Sequence, residues 1–207
     1  MTHCFFITTY GRQESCQGLV DSLQGLGDIF VLSDGAGYNI WNCEFYFFEK
    51  NYGKREYYKT VNALWALPKK DYDYYWMIPD DFLPINNFVK ETLDIWRNIY
   101  DRNKICLNLY RDGVKRERCW TNFNPIEFKT YRKTQWVDMC FFAEKRFFKV
   151  VGKIPKQNYN WDKHPHISSG VGSWISRKLN KEGYGLFQAN ESIFISQPEH
   201  QKSQMHR

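Results

Sequence analysis

Tyr74-Tyr75-Trp76-Met77-Ile78-Pro79-Asp80-Asp81-Phe82-Leu83-Pro84 is the stretch on which the fold turns. Its unbroken apolar run over residues 74–78 predicts a strand covered on both faces, and Pro79 with the two acids ends it. Cys4 to Thr9 is a second run of this kind, bounded by Tyr10-Gly11-Arg12. Gln13 to Leu26 places Leu19, Leu23 and Leu26 at helical spacing, with Gly25 and Gly27 as stop signals. Asp28 to Leu32 reads as a strand halted by Ser33-Asp34-Gly35-Ala36-Gly37, and Phe45 to Phe48 as another. Tyr57 to Leu67 is helical in pattern and Pro68 closes it. Phe88 to Tyr100 predicts an amphipathic helix, and Ile175 to Leu179 a short one. Further strands are expected over Ile105 to Tyr110, Thr134 to Phe142 and Ser192 to Ser196, and a loop over Gly152 to Ser169. This alternation predicts one α/β domain over residues 1–207, with a mostly parallel central sheet flanked by helices.

The 207 residues suffice for one domain with a sizeable core, and the 43% apolar content excludes a disordered chain. Aromatic residues make up 18%, more than a core needs, which suits stacking on bases and sugars. A net charge of +6 favours anionic partners such as nucleotide phosphates, yet is too small to point first to long nucleic acid. The six cysteines lie far apart, mostly in apolar runs, without a C-x-x-C pair; they read as buried free thiols in a reducing compartment. No basic leader and no window of eighteen apolar residues occurs, so neither a signal peptide nor a membrane span is expected. The chain reads as soluble and cytoplasmic, and its charged tail as the junction to further domains of a longer protein.

Chemistry collects where strands end. In an open α/β sheet, ligands bind beyond the carboxyl ends of the parallel strands. Thr8-Thr9-Tyr10-Gly11-Arg12, Ser33-Asp34-Gly35 and Pro79-Asp80-Asp81 all follow predicted strands. Adjacent carboxylates repel each other unless a cation neutralises them, and oxygen ligands suit Mg²⁺ or Mn²⁺ shared with substrate phosphates. An Asp-Asp pair alone is ordinary turn chemistry; three polar strand ends at one edge favour the cation site. Arg12 and the cluster Lys54, Arg55 and Lys59 are candidates for neutralising a diphosphate, or form a solvated basic face. Asp34 either accepts a hydrogen bond from a base edge or caps the turn at Gly35 and Gly37. His200 offers an imidazole for the ion, although two histidines in a tail are more often exposed. Ser168-Ser169-Gly170-Val171-Gly172 lacks the Gly-Lys-Ser/Thr ending of a phosphate loop.

In this order the segments resemble the GT-A class of nucleotide-sugar glycosyltransferases over most of the chain. Phe5 to Arg12 resembles its first strand and nucleotide loop, and Val31 to Gly35 its second strand, whose acid meets the uracil. Trp76 to Pro84 resembles the "DxD" strand. Val137 to Phe142 followed by Phe148 to Gly152 resembles the acceptor-side strand and its helix, and His200 to Met205 the late histidine segment. The resemblance implies a nucleotide-binding half over about residues 1–100 and an acceptor half over about 101–207. It implies a Mn²⁺ or Mg²⁺ ion on Asp81, Asp80 and His200, and a UDP-sugar donor with uridine cradled by Thr8, Thr9, Tyr10, Arg12, Asp34 and Gly35. The acceptor is then a hydroxyl of a glycan or glycoprotein. Pro79 stands where the first acid of the motif belongs, so Asp80 and Asp81 could exchange roles. Val171-Gly172 stands where many inverting members carry Glu-Asp, which leaves Asp138, then Asp162, as the base. Size and aromatic richness are also similar to the small GT-A domains of algal-virus glycosyltransferases that decorate capsid glycoproteins.

Two rival readings use the same residues. A nucleotidyltransferase would place the paired acids on a nucleoside triphosphate, but no Gly-rich, Lys-bearing loop follows the first strand. A single-stranded nucleic-acid module would stack bases on Tyr and Trp, but its basic residues should form one stripe. Here they are interspersed with acids, so no nucleic-acid partner is expected.

Overall fold

The computed structural model describes residues 1–111, 125–163 and 169–197. β1 (His3–Thr9), β2 (Asp28–Ser33), β3 (Glu44–Phe47) and β4 (Tyr74–Pro79) form one half of a nine-stranded sheet. β6 (Lys104–Asn108), β7 (Ile126–Glu127), β8 (Tyr131–Thr134), β9 (Phe141–Glu144) and β10 (Gly185–Ala189) complete it, in the order β3-β2-β1-β4-β9-β6-β10-β8-β7. β5 (Phe82–Pro84) and β11 (Phe194–Ser196) pair as a separate ribbon.

The helices lie on both faces. α1 (Gln13–Ser22) and α3 (Phe88–Asn98) cover one side, where Leu19, Val20, Phe88 and Trp96 meet Phe5, Ile7, Trp76 and Ile78. α2 (Tyr57–Trp65), α4 (Lys145–Val151) and α5 (Val171–Lys181) cover the other, where Val61, Phe147 and Ile175 meet Phe6, Phe30 and Met77. Alternate residues of β1 and β4 thus enter two different cores, which is why both strands read as continuous apolar runs. Among the described residues, no helix is long and apolar enough to cross a membrane.

The expectation of a mostly parallel sheet is corrected. β3, β2, β1 and β4 are mutually parallel, but β9 runs antiparallel to both β4 and β6, and β8 to both β10 and β7. Half of the eight pairings are antiparallel, and the sheet is mixed. The cause sits in residues 134–142, expected as one strand and found as two. Between β8 and β9 the backbone leaves the ladder because side chains satisfy it instead. Asn108 Nδ2 donates to the Trp136 carbonyl at 2.7 Å, the Val137 amide donates to Ser176 Oγ at 2.8 Å, and the Asp138 amide to Asn108 Oδ1 at 2.9 Å.

Other boundaries shift. α1 stops at Ser22 rather than Leu26, with turns through Leu23 and Leu26 leading to Gly25 at φ 76°. α5 is longer than expected, starting at Val171 behind Gly170, and β5, β7 and β10 were not anticipated. Residues 152–160 carry no helix or strand, as expected, and the stretch 164–168 of that segment lies outside the described residues.

Candidate functional site

The chain passes from β1 to β2 on one side and later inserts β4 on the other side of β1. That reversal of direction creates a crevice at the carboxyl ends of the strands, the usual place for a ligand in such a sheet. Backbone hydrogen bonds hold the three strand ends together: the Asp34 amide donates to the Thr9 carbonyl at 2.9 Å and the Asp80 amide to the Thr8 carbonyl at 3.3 Å.

Arg12, the residue before α1, reaches into this crevice and joins the two acids. Its Nε donates to Asp80 Oδ2 at 3.1 Å, its Nη2 lies 2.5 Å from Asp80 Oδ1, and its Nη1 donates to Asp81 Oδ2 at 3.0 Å. Thr9 Oγ1 donates to Asp80 Oδ2 at 2.7 Å and meets the Tyr38 hydroxyl at 2.9 Å, which accepts from Ser33 Oγ at 3.0 Å. Asp80 is wholly buried and Asp81 nearly so. Complete burial drives the Asp80 carboxyl up to about 7, with Asp81 adding to the rise and Arg12 and Thr9 opposing it. Burial works against the Arg12 charge, yet the facing carboxylates of Asp80 and Asp81 raise its pKa above the ordinary value.

Asp34 is placed differently from the sequence reading. Its Oδ1 accepts from the Tyr52 amide and its Oδ2 from the Gly53 amide, both at 2.8 Å, so it organises the turn ahead of α2. Burial nevertheless raises its pKa, against these two hydrogen bonds. Gly35 adopts φ 134°, and a Cβ there would stand 3.1 Å from the Tyr10 ring; the glycine leaves room for that ring beside the turn. Thr8 is buried, its Oγ1 2.9 Å from the hydroxyl of Tyr57, which burial pushes to a higher pKa.

The basic cluster does not act as one unit. Lys59 pairs with Glu56 at 2.7 Å and lies over the Tyr52 ring, whereas Arg55 pairs with Asp162. Lys54 belongs to the 3₁₀ turn Lys54–Glu56. Asp138 stands just before β9, whose first residue pairs with both Met77 and Asn108, so it shares the edge of the acid pair. Its Oδ1 accepts from the Met139 amide at 2.8 Å. Asp162 is joined to Arg55 instead of to the acids. His200 lies outside the described residues. The last described residue, Gln197, donates its amide to the Asp81 carbonyl at 2.7 Å.

Sequence reasoning named the strand end at Ser33 but missed Tyr38 and Asn108 as supports of the site, and of these two only Asn108 carried a signal, as an amide closing the apolar run Ile105-Cys106-Leu107. Among the described residues no group of three or more His, Cys, Asp or Glu gathers as for a metal ion. The donor chemistry separates the two acids: Asp80 is enclosed with both oxygens facing Arg12 and the second also Thr9, so Asp81 is the carboxylate that fits a hard cation completed by phosphate oxygens.

No protein-family model matches the chain, and a search of curated proteins finds no matching relative.

Proposed function

We propose that the protein is a metal-dependent glycosyltransferase that moves a sugar from a UDP-sugar to an acceptor hydroxyl on a glycan or glycoprotein. The observation that carries this reading is the convergence of Arg12, Asp80 and Asp81 in the crevice where the strand order reverses. A fork-shaped guanidinium is suited to phosphate oxygens, and here it is held ready by two carboxylates. Tyr10 and the turn at Asp34 and Gly35 flank this point at the ends of β1 and β2, and would take the uridine.

Asp81 is the residue that would hold Mn²⁺ or Mg²⁺, with Asp80 fixing Arg12 from behind. His200, which lies outside the described residues, is the further ligand that the sequence resemblance implies. When bound, the ion would supply positive charge to the diphosphate as it leaves. Asp138, on the same edge and oriented by Asn108 through its own amide, is the candidate to accept the acceptor proton. Base assistance of this kind is worth roughly 10²–10⁴ in rate.

Titration calorimetry of UDP with and without Mn²⁺, on the wild type and on Asp81→Ala, tests the assignment. Binding should require the metal and be lost in the variant. UDP affinity indifferent to both chelator and substitution would remove the basis of the reading.

A further inference from the structure

A cleft of about 800 Å³ opens beside the site, between two segments far apart in sequence. Tyr52 and Arg55 stand on one wall; Lys156, Asn158, Tyr159 and Trp161 stand on the other. It adjoins the nucleotide half through Tyr52, whose amide is held by Asp34. It adjoins the acceptor half through Tyr159, whose ring packs so closely on Gly170 that a Cβ there would lie 2.1 Å away. Gly170 precedes α5, and two residues later Gly172 packs against the Val137 carbonyl, next to Asp138. The walls of the cleft are therefore tied to the turn held by Asp34 on one side and to the segment that opens α5 on the other.

The second wall is built in advance. Ile154 exchanges two hydrogen bonds with the Asn62 side chain of α2. Trp161 is 7% exposed, and Tyr159 meets it edge-on at 5.6 Å while accepting from Arg177 Nη2 at 3.2 Å. The chemistry of the lining is aromatic rings alternating with side-chain amides. Rings suit the C–H face of a pyranose, and amides offer both donors and acceptors to its hydroxyls. The volume lies within the roughly 300–1,000 Å³ of small-ligand sites. Arg55 pairs with Asp162, and Glu56 lies among Lys59, Lys156 and Lys50, so the acids offset part of a weakly cationic lining.

We infer that this cleft is the acceptor site and that it takes a saccharide, recognised by its pyranose rings. The inference rests on the glycosyltransferase reading for its role, but the binding itself is testable alone. Saturation-transfer NMR on the full chain would use methyl glycosides of glucose, galactose, mannose and xylose, with and without saturating UDP and Mn²⁺. At least one glycoside should receive saturation in both conditions. Asn158→Trp, at an exposed position, should fill the cleft and weaken that glycoside at least ten-fold, and Asn158→Ala should weaken it less. The UDP-induced rise in melting temperature should be the same in all three proteins. Four results overturn the inference: no glycoside signal, a signal that survives Asn158→Trp, suppression of the signal by UDP, or loss of the UDP effect in Asn158→Trp. The last two would assign the cleft to the nucleotide. A wild type that binds a glycoside but shows no UDP effect would sink the donor reading and leave the saccharide cleft standing.

Discussion

Replacing Asp80 by Asn should abolish the pH dependence that this residue imposes on folding. The carboxyl has an ordinary value of 3.8 and a folded value of about 7, raised by complete burial. Between those two pH values the folded state holds a proton that the unfolded state has released. Stability contributed by the protonated carboxyl is therefore full below pH 4 and lost as pH rises through 7. The gap corresponds to about 4 kcal/mol. Asn has the shape of the neutral acid and does not titrate, so Asp80→Asn lacks this loss. Urea denaturation of both proteins from pH 4 to pH 8 gives the difference directly. The stability of Asp80→Asn relative to wild type should climb by several kcal/mol over that interval and level off at either end. A difference that stays flat would show that burial does not govern this carboxyl. A difference that falls with pH would show that Arg12 and Thr9 outweigh burial and hold Asp80 ionised.

Arg12→Ala should cost about 3–5 kcal/mol at neutral pH, because it strips the cation from two buried carboxylates; Arg12→Lys should recover little, since an ammonium cannot fork to both acids, and equilibrium urea unfolding reads both. Asp34→Ala should cost about 1–3 kcal/mol and speed hydrogen exchange at the amides of Tyr52 and Gly53, which lose their acceptor. Two glycines should respond in opposite directions in a thermal melt. Gly170→Ala forces a Cβ into the Tyr159 ring at φ 78° and should lose about 1–3 kcal/mol. Gly18→Ala, on the open face of α1 with no atom within 4 Å, should gain about 0.5–1 kcal/mol.

β1, β2 and β4 were legible because burial on both faces leaves a mark no surface segment shares. Cys4 to Thr9 and Tyr74 to Ile78 carry no alternation, and polar residues end each of them at the same edge. Later strands were legible only in part: β6 and β11 fall on expected strands, whereas β5 is three residues, β7 is two, and β10 is a five-residue Gly-Leu-Phe-Gln-Ala segment, all too short for a period to register. The split between β8 and β9 depends on Asn108 and Ser176, which lie about thirty and forty residues away in sequence. An apolar run supplies no sign that distant side chains will take over its backbone hydrogen bonds.

The same asymmetry divides the site. Asp80 and Asp81 alone read as an ordinary turn, and only their place beside two other polar strand ends pointed to a cation. Arg12 is 68 residues from Asp80 and only the pairing of β1 with β4 brings it there. Asp34 illustrates the converse, since a carboxylate at a strand end looks free in sequence until the turn at Tyr52 and Gly53 folds back onto it. The crevice that results offers one guanidinium to two buried carboxylates. A single positive charge offsets only one of them, so the second must either keep a proton or share a further cation. Burial pushes the Asp80 carboxyl up to about 7, which makes it the acid that would hold the proton when no further cation is bound. On the proposed reading, Asp81 would instead share the further cation with phosphate oxygens, so that one guanidinium and one divalent ion together would offset both buried acids.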